Sequence, residues 1–162
     1  MAVRSHAQLK QLLDELYHRY SRPVFLSTSA LSIPHHYASP EDREIAAFVT
    51  ASLAYGNVKQ IHRSANTALD AMGGSPAEFI RRFDPTRDSA RFQRFVHRFN
   101  SGVDLALLCH LLHQAIAAEG SLQAFFLKGY DPTHDDIEPA LNSFVERMLS
   151  LDVSAFYPSG TL

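Results

Sequence analysis

The stretch from Ser39 to Asn57 constrains the fold most, because it carries the signals of a complete helix and of the turn that ends it. Ser39 is a good N-cap, Pro40 suits the first helical position, and two acidic residues favour the positive end of the helix dipole. Apolar side chains then recur at helical spacing, and most other positions are alanine. The stretch therefore predicts a central, largely buried helix.

A tight corner follows this helix. Gly56 can supply the left-handed stop, and Asn57 can cap a second helix that begins at Val58. Tyr55 then lies at the elbow, with Lys59 nearby at the start of the second helix. An aromatic ring, an amide and a cation around a junction of helices indicate a concave binding site. The alternative is a tyrosine that only covers the core beside a helix stop.

Composition sets limits on the class of protein. The chain has 162 residues, 46% of them hydrophobic, which suffices for one domain with its own core. The chain has a formal net charge of -2, whereas nucleic-acid-binding proteins are typically basic. Any binding of nucleic acid must therefore come from a local basic patch. The single cysteine, Cys109, is interpreted as a small core residue. The amino terminus lacks an apolar signal core, and we expect a soluble cytoplasmic protein.

Helical periodicity continues on both sides of the central helix. Before it, residues 5–20 predict a helix whose leucines and tyrosines belong to the core, followed by an irregular connection. After it, helices are predicted over residues 58–72, 75–83, 103–118 and 121–127, and in a last segment that becomes regular near Pro139. No convincing strand pair is present. We predict a single compact all-α domain over residues 1–162, with six to eight helices.

The carboxyl-terminal segment, from Ser154 to Leu162, reads as a loop with aromatic residues that have no further element to pack on. A natural tail and the first residues of a missing half both fit this pattern.

A basic patch is the first candidate for a ligand site. Six arginines and His97 fall within residues 81–98, interleaved with phenylalanines. Such arginines can bind phosphates while the rings pack or stack. An amphipathic helix with buried phenylalanines and solvated arginines explains the spacing of Phe92, Phe95 and Phe99 completely, and it is the favoured alternative. The arginines are Arg81, Arg82, Arg87, Arg91, Arg94 and Arg98.

Metal binding and catalysis have weaker support. His110 and His113 lie at i, i+3, a spacing that can place two imidazoles on one metal, but no third ligand is identifiable. The chain also lacks a glycine-rich phosphate loop, a nucleophile elbow and a paired-cysteine zinc motif. We therefore predict no metal, no cofactor and no catalytic residue.

Several motifs, taken in their order, resemble an uncharacterised family of bacterial conserved hypothetical proteins, domain-of-unknown-function family twenty-four hundred. The motifs are Leu12–Tyr17, Ser32–His35, Glu44–Phe48, Ala54–Asn57, His97–Asp104 and Glu119–Leu122. Members of that family continue beyond the end of this chain, and their next segment begins near a stretch similar to Pro158-Ser159-Gly160. The resemblance implies the N-terminal part of a longer protein, truncated at its carboxyl end.

Residues 44–69 also resemble, more distantly, the paired helices that open the six-helix barrel of helix-hairpin-helix DNA glycosylases. There the corner between the helices approaches DNA, which implies contacts by Tyr55 and Asn57. Those enzymes carry a glutamine-containing corner where this chain has Ala54-Tyr55-Gly56. Their phosphate-gripping hairpin and catalytic residue would belong to the missing half. The resemblance implies a glycosylase-like helical domain without base excision by this chain.

These observations predict a helical domain that binds DNA. The predicted contacts are Tyr55, Asn57, Lys59, Arg91, Arg94, His97 and Arg98. The alternative is a helical protein-interaction or small-ligand module with no nucleic-acid role. If a half is missing, apolar surface should be exposed, and a homodimer or a partner protein would cover it.

Overall fold

The structure is a computed structural model that describes residues 5–158, apart from the side chains of residues 27 and 28. Within that range it contains eight α-helices and one short hairpin, which confirms the predicted all-α fold. The helices are α1 (His6–Tyr20), α2 (Pro40–Ser52), α3 (Val58–Met72), α4 (Pro76–Arg81), α5 (Pro85–Asp88), α6 (Gly102–Glu119), α7 (Leu122–Leu127) and α8 (Glu138–Leu149). The hairpin pairs β1 (Val96–His97) antiparallel with β2 (Asn100–Ser101). Short 3-10 turns cover Pro23–Thr28, Ala30–Ser32, Pro34–His36 and Ser89–Phe92.

Helix α2 lies at the centre of the fold, as its sequence predicts. The Ser39 hydroxyl accepts a hydrogen bond from the Asp42 amide at 3.3 Å and so caps the helix. Ile45, Ala46 and Val49 are completely buried in a core shared with α3, α4, α6 and α7. Cys109 of α6 is buried in the same core, as predicted, and this burial raises the pKa of its thiol.

Two carboxylates of α2 also cap other helices. Asp42 accepts a hydrogen bond from the Ala77 amide, at the start of α4, at 2.9 Å. Glu44 accepts the amides of Leu122, at 3.1 Å, and Gln123, at the start of α7. A carboxylate satisfies amides that a helix start leaves unpaired and complements its dipole. Helix α2 therefore fixes the starts of two helices far along the chain.

Helix α6 begins against the backbone of the last 3-10 turn. A Cβ on Gly102 would overlap the carbonyl oxygen of Phe92 and lie 2.6 Å from its carbonyl carbon. Only glycine allows this close approach.

Helix α1 departs from the prediction. Its leucines and tyrosines were expected in the core, yet no residue of α1 is buried. Leu12 is half-buried, and the exposure of the others runs from 41% at Leu16 to 67% at Tyr17. The prediction that this stripe belongs to the core is therefore wrong. Helical spacing identifies an amphipathic helix but does not identify the surface on which the helix packs.

The arginine-rich segment also departs from prediction. Phe92 and Phe95 are buried, as an amphipathic helix requires, but Val96 is 68% exposed and Phe99 is 93% exposed. The chain turns back through β1 and β2 instead of continuing as a helix. Both the amphipathic-helix alternative and the expectation of no strand pair are wrong, because two-residue strands are too short to show an alternating pattern.

The carboxyl-terminal segment is packed in part. Phe156 packs against the core and lies 5.7 Å, between ring centroids, from His110. The expectation that its aromatic residues pack on nothing is wrong at this residue. Residues 159–162, with most of the Pro158-Ser159-Gly160 motif, lie outside the described residues. In the described part of the chain, no helix combines the length and the apolar character needed to cross a bilayer.

Candidate functional site

The corner between α2 and α3 is joined to the hairpin through Tyr55. Its hydroxyl donates to the carbonyl oxygen of His97 at 3.2 Å and contacts Oδ1 of Asn100. Its ring meets the imidazole of His97 edge to face, with centroids 4.7 Å apart. Tyr55 thus holds the two strands of the hairpin against the helical corner.

His97 lies beneath this contact and is completely buried. Its Nδ1 lies 2.8 Å from the hydroxyl of Ser64, which also accepts a hydrogen bond from Gln60. The other ring nitrogen has no hydrogen-bond partner among residues 5–158. The prediction that His97 contacts nucleic acid is corrected, since a side chain without exposed surface supports the hairpin instead.

Arg98 covers the elbow itself. Gly56 has a φ of 98°, and a Cβ at this position would overlap the Arg98 guanidinium. Arg98 has a φ of 53°, a left-handed conformation that lets the two strands reverse direction. Its guanidinium is exposed and forms no ion pair with any described residue. The positive charge of Arg98 therefore lies at the junction of α2 and α3, where the sequence predicts a concave binding site.

Phe99 follows Arg98 at the tip of the hairpin, with 93% of its surface exposed. Val96, on the neighbouring strand, is also largely exposed. A phenyl ring is seldom so exposed, and the neighbouring exposed valine makes the hairpin a candidate contact surface. Sequence reasoning did not select Phe99 as a site residue, because its spacing also fits the buried face of a helix.

Lys59 and Arg94 are further cations, close in sequence to the corner and to the hairpin respectively. Asn57 caps α3 by accepting a hydrogen bond from the Lys59 amide at 2.9 Å. The Lys59 and Arg94 side chains are exposed, and neither forms an ion pair within the described part of the chain. We group Tyr55 and Lys59 of the corner with Arg98 and Phe99 of the hairpin that packs on it, and term these residues the corner surface.

Arg91 does not belong to the corner surface. Its Nη1 donates to the carbonyl oxygen of Ala71 at 3.4 Å, and its Nε lies 3.7 Å from Oδ1 of Asp88. Ala71 is near the end of α3, whereas Tyr55 precedes its first residue, and a helix of 15 residues spans about 20 Å. The prediction of one continuous arginine patch is corrected, because the structure divides it between the two ends of α3.

The two histidines of α6, His110 and His113, contact other parts of the protein. Nδ1 of His113 lies 2.9 Å from the carbonyl oxygen of Ile80. Burial, and then the neighbouring His113, lower the pKa of His110. Among the described residues, no three histidine, cysteine, aspartate or glutamate side chains come together as metal ligands.

Comparison with known proteins identifies a family but no activity. A family model described as "Protein of unknown function (DUF2400)" matches residues 30–159. No curated protein and no solved structure matches the chain significantly. The resemblance to DNA glycosylases therefore stays a prediction.

Proposed function

The chain belongs to the protein family of unknown function DUF2400, and since that membership names no activity, we propose from the corner surface that the protein binds nucleic acid. The observation that carries this proposal is Phe99, an almost fully exposed ring at the tip of a braced hairpin, beside the cation of Arg98. Aromatic rings and guanidinium groups are the usual partners of bases and phosphates.

The chemistry favours single-stranded segments. A phenyl ring stacks on one face of a base, and that face is available only where the base has left its own stack. Arg98 and Lys59 then neutralise neighbouring phosphates, with Arg94 as a further cation. The residues that resemble the DNA-facing corner of helix-hairpin-helix glycosylases lie at this same surface. The proposal covers binding and does not include base excision.

The experiment is a titration of fluorescently labelled single-stranded and duplex DNA, followed by anisotropy at several salt concentrations. We expect tighter binding to the single strand, and an affinity that falls as salt rises. Phe99→Ala should weaken single-strand binding about 5-fold or more, because one base stack contributes roughly 1–3 kcal/mol. Arg98→Gln should lower the salt slope by about 0.7, the value for one phosphate contact on a single strand.

Matched controls separate this surface from general effects. Tyr130→Ala removes another exposed aromatic side chain, and Arg19→Gln removes an arginine of α1. Both should leave affinity unchanged. Absence of binding at low salt, or equal losses in Phe99→Ala and Tyr130→Ala, would refute the proposal.

A further inference from the structure

A second basic surface lies at the far end of α3 from the corner surface. It is a cleft of about 440 Å³ between the end of α3, helix α4, and α5 with the turn that follows it, and we term it the arginine cleft. Its polar and aromatic lining includes Glu78, Phe79, Arg82, Arg87, Asp88 and Arg91.

A buried carboxylate holds two of the arginines in place. Asp88 is only 4% exposed, and Arg87 donates to both of its oxygens, from Nε at 3.1 Å and from Nη2 at 2.6 Å. Arg91 approaches the same carboxylate at 3.7 Å, and its guanidinium lies over the ring of Phe79 at 5.5 Å. Each guanidinium carries five N–H groups, so these contacts fix the two arginines without using all of their donors.

The lining has an excess of positive charge. Three guanidiniums, of Arg82, Arg87 and Arg91, lie around the cleft with the carboxylates of Glu78 and Asp88. Arg82 pairs with Glu78, and Arg81 shares that carboxylate at 3.8 Å. Asp88 is already occupied by Arg87. One positive charge of the lining therefore has no matching carboxylate within it.

We propose that the arginine cleft binds a small organic phosphate. Planar guanidinium groups match phosphate oxygens in pairs, and Arg82 and Arg87 would supply them. Met72 and Phe79 give the cleft an apolar wall for the organic part of the ligand. Its volume lies in the range of small-molecule sites, roughly 300–1,000 Å³. The proposal is independent of DNA binding, since the two surfaces lie at opposite ends of α3.

Calorimetric titration of the protein with ADP and with inorganic phosphate tests the proposal. ADP should bind saturably and more tightly than inorganic phosphate, because only ADP uses the apolar wall. Arg82→Gln should weaken ADP binding roughly 10-fold through loss of a charge-assisted contact. Glu78→Gln should strengthen it a few-fold, since it removes a competing carboxylate. We choose Arg82 over Arg87 because loss of Arg87 would leave the buried Asp88 carboxylate without its main partner.

Arg94→Gln is the matched control, because Arg94 is exposed and does not line the cleft. It should leave ADP binding unchanged. Four results would overturn the proposal. The first two are that ADP does not bind, or that inorganic phosphate binds as tightly as ADP. The other two are that neither Arg82→Gln nor Glu78→Gln changes ADP affinity, or that Arg82→Gln changes only the affinity for DNA.

Discussion

Tyr55→Phe tests the link between the helical corner and the hairpin. The substitution removes one hydroxyl and retains the ring that contacts His97 edge to face at 4.7 Å. The hydroxyl has one proton for two acceptors, the His97 carbonyl and Asn100 Oδ1, so at most one full hydrogen bond is donated at a time.

The structure sets the magnitude of the effect. A hydrogen bond of this kind contributes a net 0.5–1.5 kcal/mol, and we expect a loss of about 1 kcal/mol in the free energy of unfolding. For a chain of this size that corresponds to about 2–4 °C in Tm. Single-strand DNA affinity should also fall, but less than in Phe99→Ala, since the stacking ring is retained on a looser hairpin.

The assay is urea unfolding followed by circular dichroism. Tyr17→Phe is the control, because Tyr17 is exposed and its hydroxyl has no hydrogen bond within residues 5–158. We expect that control to stay within about 0.5 kcal/mol of the parent protein. The reasoning fails if Tyr55→Phe is as stable as the control, or if it loses more than about 3 kcal/mol, a size typical of disrupted packing.

Three further predictions concern the rest of the fold. Gly102→Ala should cost about 3 kcal/mol or more because its Cβ meets backbone, whereas Gly120→Ala, with a φ of 86° in open space, should cost about 1 kcal/mol by urea unfolding. Burial lowers the pKa of His110 below its ordinary 6.5. The stabilisation from neutral His110 is therefore complete above pH 6.5, and it is lost as the pH falls through the lowered pKa of the folded protein. His110→Phe should therefore reduce the difference in unfolding free energy between pH 7.5 and pH 5, and an unchanged difference would contradict this. Leu141 and Val145 form an exposed apolar stripe on α8, and α1 offers a second stripe, so we expect a second copy of the chain to cover α8. Sedimentation should show self-association that Leu141→Lys with Val145→Lys abolishes, and a monomer at high concentration would exclude it.

Local signals predicted the start of α2 because capping acts within one helical turn. Ser39 and Pro40 lie where their chemistry is needed, and the helix begins where they predict. The helix ends earlier than predicted, at Ser52, and Gly56 takes its left-handed φ in the turn that leads to α3. The Tyr55 corner was predicted for the same reason. Its partners were not, because His97 and Asn100 lie 42 and 45 residues away, and no local rule relates such distances.

The arginine-rich segment shows where spacing alone is insufficient. Phe92, Phe95 and Phe99 fit one helical face, yet only the first two are buried. Whether Phe99 is buried depends on how the hairpin docks against Tyr55, and this docking is a tertiary contact that local spacing does not reveal. The same limit applies to α1, whose stripe is amphipathic although none of its residues is buried.

The caps supplied by α2 have a consequence for the order of folding. The amide of Gln123 lies 79 residues from Glu44, and that of Ala77 lies 35 residues from Asp42. Helix α7 has six residues, too few to persist alone in water, so it depends on tertiary contacts, among them the cap from Glu44. Forming these two caps closes long loops, which slows folding. We infer that residues 40–127 unfold as one cooperative unit, and that this unit unfolds when α2 separates from the helices it caps.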